Sequence, residues 1–260
     1  MIKTGLCSVT FREFSVERII DLAKKAGVGG IEWGGDVHVP PGNLARALDV
    51  ADLTAKAGLS IVSYGSYYRS GCENDVPFDQ ILKTAITLGA PSIRVWAGNR
   101  GSIKADEQYW KKVIWDTERI AALAEESCIT IHIEYHGGTL TDTRTSASRL
   151  MKAITQENVK AYWQPPVGED VDTRLRGMKE IEPWLSHVHV FHWDNRDRRP
   201  LNEGKAEWKR YLGILAGLQH DHYAMLEFVK ENDPEQFLRD ADTLQILIDQ
   251  CEWVDGFPFL

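Results

Sequence analysis

Thr130-Ile131-His132-Ile133-Glu134-Tyr135-His136-Gly137-Gly138-Thr139 alternates in such a way that, on a pleated strand, His132, Glu134 and His136 share one face. Three ionisable groups on one face are costly to bury unless that face lines a cavity holding a metal ion or a substrate, because a buried charge needs a partner. An edge strand with its polar face in water is the other reading of this segment alone. Recurrence decides between them: other strands of the chain end in the same way.

Outward from this stretch, strand-like runs stand at residues 4–11, 30–34, 60–65, 92–98, 159–164, 187–193 and 223–228. Helical patterns fill the intervals: one opens at Ser15-Val16-Glu17-Arg18 and stops at Gly27, and others span 43–58, 77–89, 105–127, 146–155, 172–184, 206–218 and 234–251. Eight strand-then-helix units with no compositional break predict right-handed crossovers, a parallel sheet and its closure into a (β/α)8 TIM barrel, α/β in class, over a single domain 1–260. A doubly wound open sheet is the competing architecture, but no GxGxxG follows the first strand.

At 260 residues the chain suits one such barrel, and its apolar and charged fractions are those of a globular protein. The net charge of −8 opposes nucleic acid and anionic membranes as general partners. No apolar run reaches the roughly 18 residues of a membrane span, and the opening Met1-Ile2-Lys3-Thr4 lacks the apolar region of a secretory signal, so a cytoplasmic location is expected. Cys7, Cys72, Cys128 and Cys251 form no CxxC pair, which predicts reduced, mostly buried thiols. The closing Gly256-Phe257-Pro258-Phe259-Leu260 is apolar, suited to packing on a neighbouring copy in a homo-oligomer or on the chain's own barrel floor.

In a barrel the reactive groups gather where strands end and the following loops begin. There stand Glu32 with Trp33, Tyr64, Arg94 with Trp96, Glu134 with His136, Trp163 with Gln164, His189 with His192, and Glu227. Glu134, His189 and Glu227 offer two carboxylates and an imidazole, a set suited to one divalent ion of the Mn, Mg, Co or Zn type, and Gln164 could add an amide oxygen. Strand seven forces a choice: with Val188 and Val190 facing helices, His189 points inward and is preferred over His192 as ligand. Trp33, Trp96, Trp163 and Trp193 are either packing residues or flat walls for the C–H face of a sugar. The mixed run 194–201 reads as a solvated loop with internal ion pairs, or as a grip on a phosphate or several hydroxyls through Arg196 and Arg198. Arg94 could serve a substrate or an ion pair with Glu134 or Glu32. Glu32, Arg94, Trp96, Trp163, His192, Trp193, Arg196 and Arg198 are therefore the substrate-binding candidates.

Ile133-Glu134-Tyr135-His136-Gly137-Gly138-Thr139-Leu140-Thr141-Asp142-Thr143, His187-Val188-His189 with Asn195-Arg196, Glu203-Gly204-Lys205-Ala206-Glu207-Trp208 and Met225-Leu226-Glu227 resemble the xylose isomerase-like barrel superfamily, the sugar phosphate isomerases/epimerases, over essentially the whole chain. The resemblance implies one divalent ion held by Glu134, Gln164, His189 and Glu227. Gln164 departs from the pattern, since Tyr162-Trp163-Gln164-Pro165-Pro166 stands where the family has an Asp followed shortly by His. It also implies proton transfer beside a carbonyl through an enediolate, with Glu134 and Glu227 as the proton-transferring pair and His136 assisting. The expected substrate is a small sugar, sugar phosphate or cyclitol, and the first expectation is an isomerase or epimerase. A dehydratase on the same site, a metal-dependent phosphodiesterase and a non-catalytic sugar-binding barrel are the other readings; too few ligands and the negative charge count against the phosphodiesterase.

Overall fold

Alternation of apolar and polar residues sets both the strands and the way they face. The computed structural model describes residues 1–251. Its strands are β1 (Ile2–Cys7), β2 (Gly30–Gly34), β3 (Ser60–Arg69), β4 (Ser92–Trp96), β5 (Thr130–Glu134), β6 (Val159–Trp163), β7 (Leu185–Val190), β8 (His192–Asp194), β9 (Asp197–Arg199) and β10 (His222–Leu226). The helices are α1 (Val16–Lys25), α2 (Leu44–Lys56), α3 (Phe78–Leu88), α4 (Glu107–Glu125), α5 (Arg144–Ala153), α6 (Val171–Glu180), α7 (Lys205–Ala216) and α8 (Pro234–Asp249). All strands except β8 and β9 close a parallel barrel in the order β1-β10-β7-β6-β5-β4-β3-β2, sealed where Ile2 to Leu6 pair with His222 to Leu226. This is the (β/α)8 TIM barrel that the repeat predicts. No described helix is long and apolar enough to cross a membrane.

Helix boundaries follow local chemistry. Ser15 accepts a hydrogen bond from the Arg18 N–H to open α1, and Asp233 does the same for Glu235 and Gln236 ahead of Pro234 at the start of α8. Leu6, Ile31, Trp33, Ile93, Val95, Ile131, Ile133, Val188, Val190, Ala224 and Leu226 join the buried core shared with the helices. Their neighbours of opposite parity turn into the barrel. There Val62, Tyr162 and Met225 form a separate apolar plug. Gly5 permits it, because a Cβ at that position would lie 2.3 Å from the Met225 sulfur.

Toward the N-terminal ends of the strands the lumen holds histidines in place of aliphatics. The His132 and His187 rings are 5.3 Å apart, His132 contacts Thr130 Oγ1 at 2.9 Å and Ser186 Oγ at 3.2 Å, and His222 Nδ1 lies 2.5 Å from the Ser186 carbonyl oxygen. Burial pushes all three toward the neutral form, His187 and His222 down to about 4.

The strands differ in detail from the sequence reading. β1 stops at Cys7 and residues 8–11 form a 3-10 turn, whereas β3 continues past Gly65 to Arg69 with Tyr67 at φ 60°. The run 194–201 is no free loop: β8 and β9 pair as a hairpin around Asn195, at φ 55°. β10 ends at Leu226 and the chain turns at Phe228, at φ 50°. Of the cysteines only Cys7 is buried; Cys72 and Cys251 are half-buried and Cys128 is exposed, which corrects the expectation of mostly buried thiols, and all four are free. The apolar stretch 256–260 lies outside the described residues.

Candidate active site

Inward parity and strand-end position bring Cys7, Glu32, Arg94, Glu134, His189 and Glu227 together at the C-terminal end of the barrel, on β1, β2, β4, β5, β7 and the residue after β10. His189 is fully buried at the centre, with ring nitrogens 3.5 Å from Glu32 Oε1, 3.6 Å from Glu134 Oε1 and 3.4 Å from Glu227 Oε2. The three residues expected to share an ion therefore converge.

Arg94 is 2% exposed and answers both sequence alternatives at once: its Nε donates to Glu32 Oε1 at 2.9 Å and its Nη1 to Glu134 Oε2. Gly65 makes room, since a Cβ there would meet the guanidinium at 2.8 Å. Glu134 is held from every side. Its Oε2 also accepts from Trp96 Nε1, and its Oε1 accepts from Gln164 Nε2 at 3.1 Å. Burial alone would raise its carboxyl, but the Arg94 charge, then His189, holds it below the usual range; Glu32 is lowered in the same way. Glu227 stands otherwise. Apart from His189 its recorded polar contacts are the Cys7 thiol at 3.7 Å and the backbone of Val190, and burial leaves its carboxyl raised. His189 would be neutralised by burial, yet Glu227, Glu134 and Glu32 raise it to about 10.

Over this floor lies a cavity of about 310 Å³ walled by Glu134, His136, Gln164, Phe191, Trp193, Glu227 and Phe228, at the small end of ligand pockets. Trp96 packs its indole on His136, with ring centroids 4.6 Å apart. Several expectations are corrected here. Trp163 is fully buried against Trp208 and Tyr211 on the helix side, because it shares the parity of Val159 and Ala161; Trp33 likewise faces outward and donates to Thr54 Oγ1. Neither can wall a sugar site. Glu32 and Arg94 lie beneath the cavity, bound to each other, so neither serves as a substrate-binding wall. His192 borders a neighbouring cleft of about 690 Å³ together with Trp193, Glu169 and Arg174. Arg196 and Arg198 line a separate depression with Lys230, where Arg198 stacks over Phe228 at 4.8 Å and donates to Asn232 at 2.5 Å. His136 lies past the end of β5, in the loop, with Nδ1 2.7 Å from the Gly137 carbonyl oxygen.

Whether this floor suits a divalent ion can be read from its polar groups. No hydrogen bond reaches either ring nitrogen of His189, which carboxylate oxygens approach only to 3.4–3.6 Å, and one oxygen of Glu32 is buried without a partner, a state that native interiors avoid. Three carboxylates against one guanidinium leave two negative charges when His189 is neutral, the charge a divalent ion balances. The residues fit such an ion: His189 and Glu227 lie side by side, and Glu134 Oε1 stands 3.6 Å from the same ring. Gln164 offers Nε2 to Glu134 and to the Tyr135 carbonyl, so its amide acts as a donor. Cys7 is the site residue the strand-end reading missed; ending the first strand at Cys7 instead of residue 11 would have put it on the candidate roster.

Known proteins share this barrel. A 3-dehydroshikimate dehydratase of Bacillus anthracis is 23% identical over 267 residues, spanning 88% of this chain and 92% of its own. The crystal structure of the probable 3-DHS dehydratase AsbF from the same organism matches with a TM-score of 0.78 at 19% identity, covering 94% of this chain and 99% of that one. D-psicose 3-epimerase of Clostridium cellulolyticum H10 gives 0.70 at 15% identity, covering 96% and 99%, and the IolI protein with a bound zinc atom gives 0.72 at 15%, covering 97% and 100%. A description of the xylose isomerase-like TIM barrel family matches residues 20–247, and the chain belongs to that family.

Proposed function

We propose that this protein removes the proton from the carbon beside a carbonyl of a small polyhydroxylated substrate and then expels a hydroxyl one carbon further on, acting as a dehydratase. The observation that carries this reading is the asymmetry of the two glutamates. Glu134 accepts from Arg94, Trp96 and Gln164 and is fixed in place, whereas Glu227 reaches the cavity with only the Cys7 thiol and His189 beside its carboxylate, so its oxygens are the less committed of the two. One mobile base suffices for elimination. Epimerisation with two bases asks for a proton donor on each face of the substrate.

Glu227 takes the proton from carbon. His189 and Glu227, with Glu134 beside them, would hold a divalent ion, which would supply polarisation of the carbonyl. Arg94 and Trp96 keep Glu134 charged and immobile, so its oxygens do not reorganise as charge develops. His136, at the cavity wall, delivers a proton to the departing hydroxyl, which leaves as water. Trp193, Phe191 and Phe228 exclude bulk water. The sequence similarity to a dehydratase supports this assignment, and the structural likeness to the dehydratase is compatible with it.

An isomerase or epimerase, the first expectation from sequence, is the second reading. Glu134 and Glu227 both border the cavity, which favours it. A panel of cyclic and open-chain hydroxy-carbonyl compounds in deuterated solvent, followed by mass spectrometry, distinguishes the two: loss of water supports the dehydratase, and deuterium uptake without loss of mass supports the isomerase. Neither change with divalent ion present refutes both.

A further inference from the structure

The chemistry above gives Cys7 no task. Yet its thiol is 1% exposed and points into the floor of the site, 3.2 Å from Glu32 Oε1 and 3.7 Å from Glu227 Oε1. A neutral thiol has one weak hydrogen to offer and is a poor neighbour for two carboxylates. Cys7 Sγ, a ring nitrogen of His189 and a carboxylate oxygen of Glu227 all lie within 4.8 Å of one another, and among the described residues this is the one such trio of metal-binding side chains. The trio comes from β1, β7 and the end of β10, which are consecutive in the ring, so its members occupy one sector of the wall. Glu134 reaches in from β5, across the lumen.

A second observation is His189, fully buried, with neither ring nitrogen in a hydrogen bond although carboxylate oxygens stand 3.4–3.6 Å away, the spacing of groups that could share a ligand between them. We propose that Cys7 is a ligand of the divalent ion, completing a thiolate, imidazole and carboxylate set with His189 and Glu227. From metal–sulfur and metal–nitrogen bonds of about 2.3 and 2.0–2.1 Å, tetrahedral ligands stand roughly 3.6 Å apart, so the trio needs to draw in by about an ångström at most. Binding replaces the sulfur–hydrogen bond with a sulfur–metal bond and releases the proton to solvent, with no change of oxidation state. A thiolate selects Zn²⁺ and Co²⁺ over Mg²⁺ and Mn²⁺.

This inference rests on the metal site proposed above, and the test separates the two. Full-length protein stripped with chelator is titrated with Co²⁺ alone and its absorption recorded. A near-ultraviolet sulfur-to-cobalt charge-transfer band is expected. It should persist in Cys72→Ser, Cys128→Ser and Cys251→Ser, and vanish in Cys7→Ser and Cys7→Ala with Zn²⁺ affinity lowered about tenfold or more. Should the Cys7 variants misfold by circular dichroism, the cadmium NMR shift of the unaltered protein reads sulfur ligation directly. Bound Co²⁺ without the band, a band that survives Cys7→Ser, or a cadmium shift without sulfur character overturns the Cys7 assignment and leaves the metal-assisted reaction standing. No Co²⁺ binding at all overturns both.

Discussion

Replacing Arg94 with Met should destabilise the protein through the charges it leaves behind. Arg94, Glu32 and Glu134 have side chains 2%, 0% and 4% exposed, so removing the guanidinium strands two carboxylates in a medium that cannot solvate them. Breaking a buried pair from one side costs about 3–5 kcal/mol, and at roughly 2–4 °C per kcal/mol for a chain of this size the expected fall in Tm is about 6–20 °C at neutral pH. The sign with pH follows from linkage. In the native protein both carboxyls are held below their ordinary range, whereas without Arg94 burial raises them, so the variant regains stability relative to the parent as pH falls from about 7 to 5 and they take up protons. Adding Glu32→Gln should recover part of the loss, because it removes one stranded charge. Chelator-treated proteins compared by thermal unfolding under circular dichroism at both pH values give the measurement. A variant within about 2 °C of the parent at neutral pH, or a penalty independent of pH, would refute the view that Arg94 neutralises this floor.

Glu227→Gln should abolish loss of water and solvent-proton exchange while leaving the unfolding midpoint nearly unchanged; full activity would remove Glu227 from the chemistry. Trp163→Ala should cost about 3–5 kcal/mol in denaturant unfolding because it empties a core site, while Trp193→Ala should leave stability nearly intact and raise KM, since its ring borders the cavity. His187 and His222 are held down to about 4. The unfolded chain, with a histidine pKa near 6.5, therefore binds protons first, and the stability each ring contributes is complete above about pH 6.5 and lost as pH falls toward 4, by up to roughly 3 kcal/mol per ring. An unfolding free energy that falls no less across that interval when His187 and His222 are replaced by Gln would refute this role for the lumen histidines.

The barrel was legible because eight strand-helix units leave few other architectures, and the alternation that puts Ile131 and Ile133 outside puts Glu134 inside. The same rule chose His189 over His192 and placed Glu227, which follows Met225 by two. Where strand-end position replaced parity, the reading failed: Trp163 ends β6 but faces the helices, and Tyr162 is the residue that turns toward His189, 4.4 Å away. The hairpin of β8 and β9 escaped notice because it depends on Asn195 adopting a left-handed turn, which the charge pattern of the segment does not announce. Arg94 was recognised as a pairing residue, but its simultaneous grip on Glu32 and Glu134 is a property of the closed ring, in which β2, β4 and β5 face one lumen.

The seam that seals the ring has a consequence for how the protein comes to be. Ile2 pairs with His222 and Leu6 with Leu226, partners more than two hundred residues apart, so the edge of β1 is satisfied only by a contact of very long range. Cys7 and Glu227 flank that seam on either side. Until β10 docks against β1, Cys7 and Glu227 stay apart and the floor of the cavity is incomplete, so closure of the ring and assembly of the site are one event.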